Sequence, residues 1–515
     1  MATQILNKLI VPKEQNAIYT APALSAWPSL VSKNREITAN HISSISDHRQ
    51  ELFSIAIDYT KRIMGKEIAF KSENPIIATG HQPNWHHCGV FIKSQLGNML
   101  AKKLNASFLH IVLDLDTCNT ALSLPIRRND SLFNLMLLEI SKNNCNISQE
   151  TLLPGKNAID SFLKTILKYC PQNALCNTNW QNINLNHLQT PCKTIADLIT
   201  YLQNTLYNSF GVNAVYLPVS LLSESKAFHN FITKLLLDFI SFVEIYNKAI
   251  SKSNHYTGIF KLCEKKIGPH TYIEFPLWLA NDAGQRTTLL LALDANSKLI
   301  LATEFEVLLQ THKLNAHAII EILEQKGYLI RPKAILLTSF IRLYLSDWFI
   351  HGVGGARYES ITDYILTNYF DINGLKYGAA SLTSHLFEAK HQKLKLYKND
   401  LQQKDRAISH SPEYLLDKDL RSSVEVQQLI KQKKNAVVAS RDKHLSSGER
   451  QKSRSEIEEV NQQLQYFLPH SKESILEEIA AIKKSIQITK NREFFFGLFP
   501  HNYLYSFLEV INAEL

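Results

Sequence analysis

A strand, a helix and a second strand follow one another between Asn74 and Asp116, and this pattern constrains the fold most strongly. The segment NPIIATG is a short apolar run that ends in a glycine turn, and SFLHIVLDLD is a nearly continuous apolar run that ends in carboxylates. Between them, apolar residues recur at helical spacing. Strands that are apolar on both faces are typical of parallel sheets covered by helices, so the segment predicts a βαβ unit in an α/β fold.

The remaining sequence predicts an α/β core over residues 1–384, with insertions at about 120–210 and 265–305. In the second insertion, short strands joined by Asn, Asp and Gly turns predict a small antiparallel β subdomain. Residues 385–490 are dense in Lys, Glu, Gln and Ser, and their apolar residues step by three and four. This pattern predicts a C-terminal helical coiled-coil arm. Residues 491–515 are apolar enough to dock on the core.

Composition and charge narrow the class of protein. The 515 residues carry a formal net charge of +9, which fits an anionic small molecule, an acidic partner or nucleic acid. Seven scattered cysteines without a Cys-x-x-Cys pair indicate a reducing compartment. The N-terminus lacks the apolar core of a signal peptide, and no apolar run reaches the roughly 18 residues of a membrane span. We therefore predict a cytoplasmic protein with no membrane partner.

The loop GHQPNWHHCGVFIK joins the first strand of the βαβ unit to its helix, where ligands bind in open α/β sheets. Gly80 would let the backbone approach a ligand, and amides at the helix N-terminus favour an anion. Imidazoles can donate hydrogen bonds or act as acid or base near neutral pH. The candidate residues of this loop are Gly80, His81, Gln82, His86, His87 and Lys93.

Other interpretations of the same loop stay open. The histidines and Trp85 could simply pack and cap the turn. A metal site is less favoured, because His81 and His86 lack a standard zinc spacing and no partner cluster is evident. Cys88 could be a nucleophile, but nothing nearby in sequence marks an activating base.

Two carboxylates end the second strand of the βαβ unit. Asp114 and Asp116 alternate with leucines, so both carboxylates share one face of the strand. They could bind an ammonium group, a hydroxyl or magnesium, or act as a base. A solvated strand end that caps the next turn explains them equally well.

A glycine-rich segment, HGVGGARYESITD, follows another predicted strand. Gly352, Gly354 and Gly355 predict an anion nest of backbone amides, Arg357 beside it could clamp an oxyanion, and Tyr358 opens the next helix. The segment lacks both the dinucleotide fingerprint and the Walker lysine, and a plain strand-to-helix turn is the alternative. Further charged candidates are Arg331, which Pro332 should hold extended, and more weakly Arg286 and Glu274.

Together these pieces resemble the family of bacillithiol biosynthesis cysteine-adding enzymes. TGHQPNWHHCGVFIK is similar to that family's TGQQ…G…K segment, and FLHIVLDLD stands where the family has a strand ending in a Glu-Asp-His-Asp cluster. LIRPKAILLTSF…WFIHGVGGARY is similar to its Leu-Arg-Pro segment and the glycine-rich turn that follows. The Lys/Glu-rich helices resemble its coiled-coil domain, and FFFGLFPHNYLY its Phe-Pro C-terminal segment. The order of the motifs agrees over most of the chain.

The resemblance implies a Rossmann-like core, inserted subdomains and a helical arm that forms a homodimer. It also implies that a cysteine-like amino acid, through its amine or thiol, condenses with an anionic amino-sugar-type substrate. His81 replaces the first glutamine of the family's motif, and the acidic cluster is shortened to Asp-Leu-Asp. The residues that match or stand near the family's motifs are Gly80, Gln82, Lys93, Asp114, Asp116, Arg331, Pro332, Gly352, Gly354 and Gly355.

We therefore predict a ligase-like enzyme whose Arg357 loop and Lys93 hold the anion of the substrate. One imidazole would take a proton from an attacking amine, and a carboxylate would orient that amine. The predicted catalytic residues are His81, His86, His87, Asp114 and Asp116.

The cofactor and two alternative functions stay open. Amide formation from a free acid needs an activated carboxyl group, so a nucleotide such as ATP or ADP is an expected participant, although no nucleotide fingerprint is present. The chain could instead be a coiled-coil binding protein with a structural α/β core, or a nucleotidyl-transfer enzyme. The arm interleaves Glu and Asp with Lys, as solvated helices do, so nucleic acid is a less favoured partner.

Overall fold

The computed structural model describes residues 9–42, 45–65, 67–68, 73–116, 121–128, 132–140, 150, 155–183, 191–253, 258–281, 283–311 and 316–515. The strands in these ranges are β1 (Ile18–Ala21), β2 (Ile76–His81), β3 (Ser107–Val112), β4 (Leu122–Arg127), β5 (Phe133–Leu138), β6 (Val215–Pro218), β7 (Glu264–Ile267), β8 (His270–Ala280), β9 (Arg286–Leu293), β10 (Leu299–Ala302), β11 (Val307–Thr311), β12 (Leu329–Pro332), β13 (Trp348–His351) and β14 (Gly378–Leu382).

Helices connect and cover these strands. They are α1 (Trp27–His41), α2 (Ile45–Met64), α3 (Cys88–Leu104), α4 (Lys156–Tyr169), α5 (Leu175–Trp180), α6 (Ile195–Asn208), α7 (Val219–Ser223), α8 (Lys226–Leu237), α9 (Phe239–Lys252), α10 (Ala316–Gln325), α11 (Ala334–Phe340), α12 (Val353–Ala356), α13 (Glu359–Asn368), α14 (Glu388–His410), α15 (Lys418–Ser422), α16 (Val424–Arg441), α17 (Ser447–Gln465), α18 (Lys472–Thr489) and α19 (His501–Glu514).

Six strands form a mostly parallel sheet in the order β1-β14-β13-β2-β3-β6. β2, β3, β6, β13 and β14 pair in parallel, and β1 is antiparallel to β14. The pairing of β2 with β3 begins at Ile76 and Ser107, and α3 lies between them in the chain, so the predicted βαβ unit is confirmed. Ile76 and Ile77 are fully buried, as expected for strands covered on both faces.

The strand order reverses beside β2. The chain adds β3 on one side of β2 and later adds β13 on the other side. The carboxyl ends of β2 and β13 therefore border a topological switch point, where ligands bind in open α/β sheets. The loop after β2 and the glycine-rich segment after β13 thus meet at one edge of the sheet.

The antiparallel strands predicted at about 265–305 are present, and their sheet is larger than expected. β7 to β11 cover Glu264–Thr311, and β12 joins from further along the chain. The order is β11-β10-β9-β8-β12, with β7 also paired to β8. β4 and β5 form a separate two-stranded sheet.

One hydrophobic core joins the parallel and antiparallel sheets. It contains Ile76 and Leu109 from the parallel sheet, Leu277 and Leu289 from the antiparallel sheet, and Phe242 from α9. Fully burying one such side chain contributes roughly 1.5–3 kcal/mol. The shared core fixes the two sheets relative to each other, so side chains from both can line one cavity.

The chain divides into two compact units. The first comprises residues 1–124, 137–384 and 492–515, and the second comprises residues 125–136 and 385–491. The C-terminal aromatic segment belongs to the first unit, where Phe495 pairs with His87 in an isolated β-bridge. The Phe496 amide donates a 2.7 Å hydrogen bond to the His86 carbonyl. This segment therefore packs directly on the loop between β2 and α3, the histidine loop, which contains His86 and His87.

The second unit contains the helices from α14 to α18. α14 packs against α18, and α16 packs against α17. Val426 and Ile430 of α16 meet Val460 and Leu464 of α17 in a small core. Among the described residues of the whole chain, no helix has both the length and the apolarity needed to cross a membrane.

Candidate functional site

A cavity of about 950 Å³ lies at the switch point between β2 and β13. Its walls come from the loop after β2, the first turns of α3, the glycine-rich segment, the antiparallel sheet and the C-terminal segment. The predicted site residues that line it are Gly80, His81, Gln82, His87, Lys93, Asp116, Gly352, Gly354, Gly355 and Tyr358. Distant parts of the sequence thus meet at one concave site of the size that binds small molecules.

Lys93 is the buried cation of this cavity. Its side chain is 3% exposed, and its Nζ donates a 2.9 Å hydrogen bond to the Gly80 carbonyl. Burial lowers the pKa of Lys93 to about 7. The amine is therefore divided between charged and neutral forms near neutral pH, and a bound anion would favour the charged form.

The N-terminus of α3 opens into the same cavity. The His87 side chain caps the helix by accepting a 3.0 Å hydrogen bond from the Gly89 amide. Burial, and next the charges of Arg492 and Lys93, lower the pKa of His87 to about 4. His87 is thus a neutral cap, and the positive end of the helix dipole adds to the nearby cations.

Arg492 is a site residue that the sequence did not reveal. Its Nη2 donates 3.2 Å hydrogen bonds to Ser381 Oγ and to the Leu382 carbonyl. A Cβ at Gly89 would come within 2.9 Å of Arg492 Nη2 and of Ser381 Oγ. Glycine at position 89 is therefore what lets the guanidinium approach the start of α3.

The histidines of the loop form an aromatic cluster with His110 of β3. The ring centroids of His81 and His86 are 4.9 Å apart, and those of His86 and His110 are 5.9 Å apart. Nδ1 of His86 lies 3.0 Å from the Tyr207 hydroxyl. Burial is the main cause that lowers the pKa of all three imidazoles, to about 3 for His110. These rings are neutral at physiological pH.

His81 alone of these imidazoles lines both the main cavity and a smaller one. The smaller cavity, of about 10 Å³, is bordered by His86, His110, Gln203 and Tyr207. That volume is close to the space of one water molecule, and the walls are polar. His86 thus lies behind His81 rather than in the main cavity.

His351, at the end of β13, is a second site residue that the sequence analysis did not single out. It lines the cavity, and its Nε2 is 3.4 Å from Glu359 Oε1. Burial, and next the charges of Arg342 and Lys93, lower its pKa well below the usual range. The sequence signal is a histidine at a strand end with a glutamate in the following helix, which became meaningful only once the turn between them was known.

The predicted glycine loop is a short helix instead. Val353–Ala356 forms α12, and neither Gly352, Gly354 nor Gly355 has a positive φ. Open space surrounds the Cβ position of Gly354, whereas a Cβ on Gly355 would be 3.0 Å from His351 Nδ1. Glycine at 355 therefore gives the imidazole room.

Gly80 and the acidic strand end also have local structural roles. A Cβ on Gly80 would lie 3.1 Å from Ile111, so this glycine permits close strand packing. Asp116 accepts a 2.9 Å hydrogen bond from Gln82 Nε2 at the cavity wall. Asp114 is buried away from the cavity lining, where the Ser220 amide and hydroxyl donate to it. Burial, and next Glu150, raise its pKa to about 7.

Two predicted cationic residues lie outside the cavity lining. Arg331 is 2% exposed and makes ion pairs with Glu150 at 2.8 Å and Glu224 at 3.1 Å. Arg357 is exposed at the C-terminus of α12. The structure therefore does not bring either guanidinium to the cavity wall with Lys93.

A cysteine nucleophile and a metal site were the other interpretations of the histidine loop. Cys88 is fully buried, and burial raises the pKa of its thiol well above the usual range. Within the described ranges, no cluster of three or more His, Cys, Asp or Glu side chains could hold a metal ion. The cavity offers neutral imidazoles, the titrating amine of Lys93 and the guanidinium of Arg492, with further basic side chains on the wall formed by the antiparallel sheet.

No protein family model matches the chain, and its sequence matches no curated protein.

Proposed function

We propose that this protein is a ligase-like enzyme that condenses a cysteine-like amino acid with an anionic amino-sugar-type substrate. The observation that carries the proposal is a cavity at the strand-order reversal in which neutral His81 and His351 accompany Lys93 and Arg492. Neutral imidazoles can accept a proton, and the two cationic side chains can hold an anion.

The proposal includes a Rossmann-like core. Read from β6 to β14, the five parallel strands have the chain order 3-2-1-4-5, the order of doubly wound nucleotide-binding sheets. We keep a nucleoside triphosphate as the proposed co-substrate, because a free carboxyl group must be activated before an amine can displace its oxygen.

Proton transfer is assigned to His351. An amine that attacks a carbonyl carbon must lose a proton as the new N–C bond forms. The His351 imidazole is neutral and lines the cavity, so it can accept that proton. The Glu359 carboxylate, 3.4 Å behind it, would stabilise the resulting imidazolium. His81 is the second possible base, because it lines the same cavity.

Anion binding is assigned to the start of α3. Lys93, Arg492 and Gly89, in the first turn of that helix, all line the cavity, and the charges of both cations act on His87, which caps the helix. Basic side chains beside a helix N-terminus favour carboxylate or phosphate oxygens.

The proposal also includes a homodimer formed through a coiled-coil arm, residues 385–490. The second unit has exposed apolar side chains that a partner could cover, among them Leu396, Val424, Val438 and, directly after α17, Tyr466. Sedimentation of the purified chain would measure its oligomeric state, and a monomer at micromolar concentration would contradict this part.

The catalytic part is tested by mixing the protein with cysteine, an anionic amino sugar and ATP, and detecting an amide product by mass spectrometry. We expect the native protein to form it and His351→Asn to lose it. In parallel, a thermal-shift screen of thiols, amino sugars and nucleotides should give a ligand whose shift is reduced in Lys93→Met. Ligand shifts that Lys93→Met and Arg492→Gln leave unchanged would contradict the assignment of the cavity.

A further inference from the structure

The wall of the cavity formed by the antiparallel sheet carries a second group of cations. Lys333 Nζ lies 4.0 Å from the centroid of the Trp278 ring, and Arg286 Cζ lies 5.3 Å from the same centroid. All three side chains line the cavity, together with Thr288. Both cations are within the roughly 6 Å at which a cation and an indole attract each other.

Strand register explains why these side chains share one face. Trp278 of β8 pairs with Thr288 of β9, and residues directly opposite on antiparallel strands share a face. Arg286 precedes Thr288 by two residues and therefore points the same way. Lys333 follows the end of β12, and its Nζ donates a 3.3 Å hydrogen bond to Thr288 Oγ1. The group is thus built by the sheet rather than by a loop.

Neither cation of this group has a carboxylate as a direct partner. Among the described residues, no carboxylate forms an ion pair within 4.0 Å of Arg286 or Lys333, although the charge of Glu274 acts on Lys333 from further away and, against the larger effect of burial, raises its pKa. Glu274, the acidic side chain that also lines this wall, is paired at 3.1 Å with Lys265. Arg286 uses one N–H on the Leu115 carbonyl at 2.6 Å and keeps the remaining donors of its fork.

We propose that Trp278, Arg286 and Lys333 form a second anion-binding subsite, which takes a carboxylate or phosphate group of the substrate. The inference rests on the proposed function, because it assumes that the cavity binds a small molecule. In this subsite the indole holds the two cations in place and the anion bonds to both. Burial lowers the pKa of Lys333 to about 8, so a bound anion would offset the cost of its charge.

Quenching of tryptophan fluorescence can measure the access of ions to this subsite. The chain has five tryptophans, and the other four, Trp27, Trp85, Trp180 and Trp348, are buried. Trp278 is half-buried beside the cavity, so dissolved quenchers should reach it preferentially. The experiment compares how strongly fluorescence is quenched by iodide, which is an anion, by caesium, which is a cation, and by neutral acrylamide. The fluorescence lost in Trp278→Phe identifies the part of the signal that comes from this residue.

We expect iodide to quench Trp278 severalfold more strongly than caesium, because fixed cations raise the local concentration of an anion. Lys333→Gln and Arg286→Gln should each remove most of that preference, whereas Lys326→Gln, a matched change at an exposed lysine, should not. Thermal unfolding of each variant verifies that it is folded. Protection by inorganic phosphate but not by citrate would identify a phosphate subsite, and the reverse a carboxylate subsite.

Equal quenching by iodide and caesium would overturn the inference, as would full iodide preference in both variants. Failure of both phosphate and citrate to protect Trp278 would also overturn it. Other results would contradict the proposed function. If product forms but iodide shows no preference, only the subsite is rejected. If phosphate or citrate suppresses an iodide preference but no mixture gives product, only the enzymatic function is rejected.

Discussion

Nε2 of His351 lies 3.4 Å from one oxygen of the Glu359 carboxylate, and Arg342 donates a 2.6 Å hydrogen bond to the other oxygen. All three side chains are buried, at 4% exposure or less. Burial lowers the pKa of His351, and burial is also the main cause that raises the pKa of Glu359 to about 7. The imidazole lines the cavity with a carboxylate behind it, an arrangement that suits a general base.

We therefore predict that His351→Asn lowers turnover by roughly 10²–10⁴-fold, the usual range for loss of a general base. Glu359→Gln should also lower turnover and leave ligand affinity unchanged, because an amide cannot stabilise the imidazolium. Arg342 keeps Asp363 as a partner at 2.7 Å, so this variant should fold. Steady-state kinetics and ligand titration measure both effects.

The control for this pair is His444→Asn, which changes an exposed histidine of the second unit. It should match the native protein in turnover and in melting temperature. A Glu359→Gln variant with native turnover across the pH range would show that the carboxylate has only a structural role.

Two arginines make a second, matched prediction. Arg492 lines the cavity beside the start of α3, whereas Arg357 is exposed outside its lining. Arg492→Gln should therefore weaken binding of an anionic ligand about tenfold or more, because a hydrogen bond to a charged group is worth roughly 1.5–3 kcal/mol. Arg357→Gln should leave the affinity unchanged. Calorimetric titration of both variants with one ligand makes the comparison, and a loss of affinity confined to Arg357→Gln would restore the clamp predicted from the sequence.

The part of the site that the sequence predicted lies at the ends of strands or directly after them. His81 and Gly352 are recognisable because apolar runs mark β2 and β13, and ligands bind beyond such strand ends. Lys93 follows from the helical spacing of α3. These inferences need only local pattern and the parallel arrangement of the strands.

The part that the sequence did not predict depends on contacts between distant segments. Arg492 reaches Gly89 only because the C-terminal segment packs on the histidine loop. Arg331 looked like a substrate ligand, but its partner Glu150 lies far away in sequence. The sequence did not show that Arg286 and Lys333 both lie beside Trp278, because strand register and not sequence spacing brings them together.

The ion pairs of Arg331 give a third prediction, for stability rather than binding. Arg331→Met would leave the Glu150 carboxylate without its 2.8 Å partner inside the protein. Breaking one side of a buried ion pair costs about 3–5 kcal/mol, so the free energy of unfolding should fall by that amount. Denaturant titration measures it, with Arg357→Met as the exposed control. A change below about 1 kcal/mol would contradict the importance of this pair.

Lys93 gives the last prediction, which concerns pH. Its folded-state pKa is about 7, against 10.5 for an unburied lysine. Between these pH values the unfolded chain holds a proton at this position that the folded chain lacks, so the contribution of Lys93 to the free energy of unfolding rises with pH. Below pH 7 the buried charge of Lys93 lowers the free energy of unfolding by at most about 5 kcal/mol. Above pH 10.5 this destabilisation is absent, because the amine is neutral in both states.

Lys93→Met removes the titrating amine from this position. The gain in free energy of unfolding of Lys93→Met over the native protein should be largest near pH 6 and should shrink steadily towards pH 10. Denaturant titrations at several pH values measure this difference, and Lys326→Met corrects for the loss of one exposed lysine. Parallel pH profiles for Lys93→Met and native protein would show that Lys93 is charged in the folded state.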